Sequence, residues 1–133
     1  MPVGDLVAFV ASRDLEISGR FYGDLLGLRL VESSRFANVY DVGGTMLRVT
    51  RVGELAANPH TVLGWRVADI AASIAALRDA GVSFRRYDGM TQDEDGIWTA
   101  PSGSRVAWFA DPDGNTLSLE QPPTGSAQAH QRS

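Results

Sequence analysis

The chain says nearly the same thing twice, and that repetition restricts its possible folds more than any other feature. The first half contains AFVASRDLEISGRFYGDLLGLRL (8–30) and the second contains GWRVADIAASIAALRDAGVSFRR (64–86). Each copy reads as a short strand, an Asp, an amphipathic helix, a Gly and a further strand. In this pairing Phe9 is set against Trp65, Asp14 against Asp69, Gly27 against Gly81 and Leu30 against Phe84. Asp14 and Asp69 suit helix N-caps, because a carboxylate there accepts from the unpaired amides of the first turn. Ile70, Ile74 and Leu77 recur at i, i+4 and i+7 and predict a buried stripe. Gly27 and Gly81 suit the left-handed position that ends a helix.

The likeness continues beyond the helices. GTMLRV (44–49) matches GNTLSL (114–119), in each case a glycine-bearing turn feeding an alternating strand. Between helix and last strand each half has room for two more strands, at 28–32 and 36–42 in the first and at 82–87 and 104–110 in the second. Strand–helix–strand–strand–strand is therefore predicted twice, an α+β arrangement with modules at 1–57 and 58–121 of one compact domain. The join is placed near ELAANPH (54–60), where Asn58-Pro59 interrupts any regular element. The polar stretch 122–133 begins with Pro-Pro and is expected to be disordered.

Composition narrows the partners. A chain of 133 residues, 44% apolar and 21% charged, can bury a real core and reads as an ordinary globular protein. No apolar run approaches the roughly 20 residues of a membrane span. The start MPVGDLV lacks a basic leader, so a cytoplasmic location without a membrane partner is expected. A net charge of −4 argues against nucleic acid as a partner. The chain has no Cys, which excludes disulfides and thiolate chemistry, and its 12 basic residues are all Arg, which excludes Schiff-base catalysis by Lys. A phosphate-cradling Gly loop, a GxSxG elbow and a helical His-carboxylate motif are all missing from the sequence.

The succession FYGDLLGLRL, HTVLGWRVADI and VAWFADPDGNTLSLEQ resembles the vicinal oxygen chelate superfamily, in its glyoxalase/bleomycin-resistance branch, over residues 5–121. The resemblance implies two βαβββ modules that form a curved mixed sheet around a pocket, with helices on the convex face. It does not name a function. Metal-dependent members take His, Gln and Glu ligands for Zn, Ni, Fe or Mn from the first and last strands. The resemblance puts those ligands three residues before the packing residue of each first strand, at Leu6 and Val62. The others fall four residues after the turn glycine of each last strand, at Arg48 and Ser118. None of the four is a good ligand and an Arg repels a cation, so neither metal nor other cofactor is expected. His60 and Glu120 each lie two residues from such a position and keep its strand face. A shifted metal site using them lacks a third ligand, since neither Ala8 nor Met46 offers one.

Alternation assigns the rest of the expected cavity. With Val7, Phe9, Ala11 and Leu63, Trp65, Val67 packed on helices, Leu6, Ala8, Val10 and Val62, Gly64, Arg66 face inward. Leu47, Val49, Leu117 and Leu119 pack likewise and leave Met46, Arg48, Thr50 and Thr116, Ser118, Glu120. The polar groups are then Arg48, Arg66, Ser118 and Glu120 above an apolar floor. Two arginines there could clamp a carboxylate, phosphate or enolate-like oxygen, unless Glu120 neutralises one in an internal ion pair. Tyr40, Trp98 and Trp108 would form flat walls or belong to the core. Residues 89–103 are long for a hairpin and suit a lid. Asp93-Glu94-Asp95 lacks calcium-loop spacing and reads as solvated acid, and Asp111 and Asp113 read as turn formers.

The expectation is a metal-independent small-molecule-binding protein that sequesters or senses an apolar or aromatic ligand, with an acidic group as an option. Its ligand-binding residues would be Arg48, Arg66, Ser118, Glu120, His60, Trp98, Trp108, Leu6 and Val62. The alternative is a glyoxalase-like lyase or isomerase with Glu120 or His60 as general base and an arginine as oxyanion stabiliser. The resemblance also implies a homodimer.

Overall fold

The structure, a computed structural model, describes residues 3–56 and 59–123. The expectation of a disordered tail falls on residues mostly outside these; Pro122 and Pro123 are described and carry no regular structure. The chain divides into two compact units, Met1–Asn58 with Asp111–Asn115, and Pro59–Ala110 with Thr116–Ser133. Each holds a four-stranded mixed sheet with a helix, the α+β arrangement of a βαβββ module. Among the described residues no helix is long and apolar enough to cross a membrane.

The first unit runs β1 (Val7–Ser12), α1 (Leu15–Gly19), β2 (Arg29–Ser33), β3 (Ala37–Val42) and β4 (Thr45–Arg51). Its sheet order is β1-β4-β3-β2, with β1 parallel to β4 and the other pairs antiparallel. Asp14 caps α1 as predicted, its carboxylate accepting from the amides of Glu16 and Ile17 at 3.0 and 3.2 Å. The helix then widens into a π-helical stretch, Arg20–Leu25, and the chain leaves it through Gly27 at φ 74°. Ser18, Phe21 and Tyr22 are buried on one side of it, and Val10, Tyr40, Leu47 and Val49 are buried on the sheet.

This burial overturns the expected face of β1. Val10 is 4% exposed and Ser12 is buried, with its hydroxyl against that of Ser18 on α1. Phe9, by contrast, is 64% exposed, and Val7 is exposed too. The reason is a one-residue slip in the repeat alignment. In parallel register Val10 meets Val49 and Trp65 meets Leu119, so Trp65 corresponds to Val10, not to Phe9. A slip of one residue moves every side chain of a strand to the other face. Val7, Phe9 and Ala11 therefore share the open face with Met46, Arg48 and Thr50.

The turn Asp111-Pro112-Asp113-Gly114 belongs to the first unit and does more than reverse the chain. Asp111 is buried and accepts at Oδ2 from the Tyr22 hydroxyl (2.7 Å) and the Asn115 amide side chain (2.8 Å). Its Oδ1 accepts from the backbone amides of Asp113 and Asn115, both at 2.9 Å. Asp113 accepts from the Arg13 amide (2.9 Å), Arg13 Nε (3.2 Å) and the Ser18 hydroxyl (3.3 Å). Burial works to raise the Asp113 carboxyl, but the Arg13 amide, the Ser12 hydroxyl and the Arg13 guanidinium together hold it below the usual range. Burial, reinforced by the charge of Asp111, pushes the Tyr22 phenol well above its usual value.

The second unit runs β5 (Thr61–Arg66), α2 (Ile70–Asp79), β6 (Trp98–Thr99), β7 (Arg105–Ala110) and β8 (Thr116–Gln121), in sheet order β5-β8-β7-β6. Asp69 caps α2 through the Ala72 amide at 3.1 Å, and Gln121 Oε1 accepts from the Ile70 amide at 2.9 Å. Ile70 and Ile74 are buried, as are Phe109, Leu117 and Leu119 on the sheet; Leu77 is half-buried. The strand predicted at 82–87 shrinks to a single bridge between Phe84 and Phe109. The Gln92 side chain takes over its pairing. Oε1 accepts from the Tyr87 amide (2.8 Å), while Nε2 donates to the Arg85 and Gly96 carbonyls (3.1 and 2.8 Å). Asp93 accepts from the amides of Asp95 and Ile97, both at 2.9 Å. The segment expected as a lid is thus tied down by its own side chains.

Candidate functional site

The pleat sorts the second sheet into two faces. Leu63 and Trp65 stand beside Leu117 and Leu119 on the helix face, while Gly64 and Arg66 stand beside Ser118 and Glu120 on the open face. Across β7 the same rows continue into Trp108, opposite Ser118, and Val106, opposite Glu120; Trp98 on β6 extends the second row. From Leu63 onward the second-module faces agree with the alternation read from the sequence; before it the bulge puts Thr61, not the expected Val62, in the open-face row beside Thr116.

Gly64, Trp65, Arg66, Ser118 and Glu120 line an open cleft of about 340 Å³. It exists because the row at its centre is made of small residues. A Cβ on Gly64 would stand 2.6 Å from the Ser118 hydroxyl, so a side chain there and Ser118 compete for one space. Arg66 and Glu120 are register partners, yet neither forms an ion pair with any described residue. The internal ion pair weighed from the sequence is not made, and among the described residues no carboxylate competes with a planar acid for the Arg66 guanidinium.

An aromatic cluster continues the face. The rings of Trp98 and Trp108 lie 6.2 Å apart, and Tyr87 meets Trp108 edge-on at 5.6 Å. Trp108 is fixed through its indole N–H, which donates to the Thr61 hydroxyl at 3.1 Å. The Arg85 guanidinium donates to the buried Thr116 hydroxyl at the other end of β8. Sequence reasoning missed Tyr87, Arg85 and Thr61. Alternation from Phe84, whose ring lies tilted 5.3 Å from that of Phe109, would have placed Arg85 and Tyr87 on the open face.

The remaining predicted residues are distributed as follows. Arg48 lies on the open face of the first sheet, between Phe9 and Val39, and forms no ion pair with a described residue. Leu6 precedes β1 and is 73% exposed, and its expected companion Val10 is in the core. Val62 occupies a bulge in β5, where the register with β8 skips a residue. His60 is exposed just before β5 and is not part of the cleft lining. Tyr40 belongs to the first unit's core.

The donor set does not fit a divalent metal. The positions that the family resemblance marks for ligands hold Arg48, Ser118 and apolar side chains. Among the described residues no group of three or more His, Asp or Glu is placed to hold a metal ion. Glu120 faces an arginine across the strand pair instead of a second donor.

The family profile for the Glyoxalase/Bleomycin resistance protein/Dioxygenase superfamily matches residues 6–119. A lactoylglutathione lyase from Agrobacterium tumefaciens superposes with a TM-score of 0.71 at 16% identity, covering 96% of this chain and 97% of its own. A glyoxalase/bleomycin resistance protein/dioxygenase superfamily member from Sphaerobacter thermophilus gives a TM-score of 0.68 at 21% identity, with coverages of 90% and 97%. An integron cassette protein from the mobile metagenome of a Halifax Harbour sewage outfall is 26% identical, with a TM-score of 0.65 and coverages of 89% and 97%. No curated protein matches by sequence.

Proposed function

Because the chain belongs to the glyoxalase/bleomycin resistance protein/dioxygenase superfamily, we propose that it binds a small aromatic acid without the help of a metal. The ligand would occupy the open face of the second sheet, for sequestration or sensing. One observation carries this reading. Arg66, free of any ion pair with a described residue, shares a cleft with the Ser118 hydroxyl beside the Tyr87–Trp108–Trp98 cluster. A guanidinium in that position grips a carboxylate through two parallel N–H bonds, and flat indoles accept a ring. The cleft's 340 Å³ lies at the small end of ligand-pocket sizes.

Calorimetric titration with a panel of aromatic carboxylates tests this. A true ligand at a hundred times its Kd should stabilise the protein by about 2.7 kcal/mol, seen as a rise in melting temperature. Arg66→Met should weaken binding at least about tenfold, which is about 1.4 kcal/mol. Unchanged affinity in that variant removes Arg66 from the reading. Glu120 in the same cleft favours a second reading, in which the chain is a lyase or isomerase with Glu120 as base. Proton NMR of the bound compound separates the two. Consumption that stops in Glu120→Gln means catalysis, and an unaltered ligand means binding.

A further inference from the structure

We propose that the first unit carries a second ligand site, on the helix face of its sheet, for a small primary amine with a short apolar body. A cavity of about 490 Å³ lies there between the α-to-π helix and strands β2 and β3, and no part of the open-face cleft contributes to it. Its size falls within the range of small-molecule sites.

Three features indicate that this space is used. The first is a pair of helix glycines, Gly19 and Gly23, one turn apart on the cavity wall. Neither has a positive φ. Nor does packing demand either one. A Cβ on Gly19 would meet the nearest atom, Asn38 Nδ2, at 3.6 Å, and one on Gly23 would meet Tyr40 at 3.7 Å, both ordinary contacts. Glycine inside a helix costs stability relative to alanine, so two of them standing without a structural need point to a use for the space they leave. The second feature is the π-helical stretch Arg20–Leu25 that lines the same wall, with the Leu26 amide reaching the Phe21 carbonyl at 2.9 Å. Such stretches are rare and cluster at functional sites. The third is a nearly buried polar floor. Tyr40 is 1% exposed, and its hydroxyl stands about where Gly19 and Gly23 leave room, 4.0 and 3.9 Å from their would-be side chains.

Charge selects the ligand class. At the rim Glu16 is neutralised by Arg20 at 3.3 Å, whereas Asp24 has no ion pair with a described residue. The cavity thus presents one uncompensated carboxylate. Burial holds the Tyr40 phenol above its usual value, with the charge of Asp24 helping and a hydrogen bond with the Asn38 side chain working against them, so it stays protonated and neutral and its oxygen shares Asn38 with any ligand. An ammonium group would sit between Asp24 and the Tyr40 hydroxyl oxygen, with its apolar body on Leu28 and Leu30. An anion of the same size would be repelled.

Benzylamine, benzyl alcohol and benzoate are three probes of matched size that test this by ¹⁵N NMR titration of the full chain. Benzylamine should shift the amides of Gly19, Gly23 and Asp24 and bind at least tenfold more tightly than benzyl alcohol, while benzoate leaves those amides unmoved. Gly23→Ala should raise the melting temperature and abolish the benzylamine shifts, a combination that general damage to the helix cannot produce. Asp24→Asn should weaken benzylamine at least tenfold without altering benzyl alcohol. The site does not exist as proposed if benzylamine leaves these amides unmoved at millimolar concentration, if it binds no better than the alcohol, or if Asp24→Asn has no effect.

Discussion

In the first unit the row crossing the parallel strand pair sets Phe9 beside Arg48; in the second the same row sets Gly64 beside Ser118. The equivalence follows from the last strands, where Gly44–Val49 aligns with Gly114–Leu119. Two large side chains fill the row in one sheet, and two small ones empty it in the other, which is where the 340 Å³ cleft opens. The turns that feed these last strands differ in the opposite sense. Asp41 accepts from the Gly44 amide at 2.8 Å and pairs with the exposed Arg29 at 3.3 Å, a surface arrangement. Its counterpart Asp111 sits in a buried network with Tyr22 and Asn115. A duplicated framework can thus fill or bury one copy of a position and leave the other open, because strand order and register do not depend on what stands in the row.

The turn comparison should give the largest effect. Asp111→Ala removes four accepted hydrogen bonds and leaves the Tyr22 hydroxyl buried without its acceptor, a loss of about 3–5 kcal/mol. Asp41→Ala, at the equivalent position, should cost about 1 kcal/mol or less. Chemical denaturation of both variants measures the difference, and equal losses would erase the distinction between the two turns.

Acid sharpens the same contrast. The Asp113 carboxyl lies below its unfolded value, so the stability it supplies is present above that value and is lost as pH falls through the folded one. Stability should therefore decline below about pH 4. Asp113→Asn should lose about 2 kcal/mol at neutral pH, through its bonds to Arg13 and Ser18, and flatten the acid limb. Tyr22 gives the mirror case. Its raised phenol contributes stability below the unfolded value near 10 that fades as pH rises beyond it, and Tyr22→Phe should flatten the alkaline limb.

Refilling the empty row is a smaller change. Gly64→Ala places a methyl 2.6 Å from the Ser118 hydroxyl, which must rotate away. The expected cost is about 1 kcal/mol in stability, together with weakened binding of any acid held by Arg66 and Ser118. Unaltered affinity for a ligand identified by titration would show that the cleft is not its seat.

How much of this could be read from the sequence depended on the range of each signal. The caps Asp14 and Asp69, the buried Ile70 and Ile74 and the faces of β8 rest on contacts within a turn or an alternation of two, and the structure shows each of them. Strand β6 was not legible, because it has two residues and, besides its pairing with β7, a single backbone bridge from Trp98 to Gln92. Nor was the burial of Asp111 and Asp113, whose partners Tyr22 and Arg13 stand 89 and 100 positions away. The face of β1 was legible and was misread. Phe9 and Trp65 look alike, but Asp14 follows Phe9 by five residues and Asp69 follows Trp65 by four. Counting four back from each cap selects Val10 and Trp65, which the strand register confirms.

That correction yields the smallest expected effect and a clean contrast beside it. If Phe9 is the open-face partner of Arg48, Phe9→Ala removes an exposed ring and should change stability by no more than about 0.5 kcal/mol. Val10→Ala, one residue on, empties a site in the core against Val49 and should cost about 2 kcal/mol despite deleting fewer atoms. The size order of the side chains and the size order of the losses are then opposite, which no difference in hydrophobicity alone can produce. Equilibrium denaturation of the two variants reads this directly. A larger loss at Phe9 would mean that its ring is covered, either by another copy in solution or by the helix of its own unit. Repeating the measurement over a range of protein concentrations would identify the copy, since stability then rises with concentration. A loss independent of concentration would instead return Phe9 to the helix face and with it the alignment of Phe9 to Trp65.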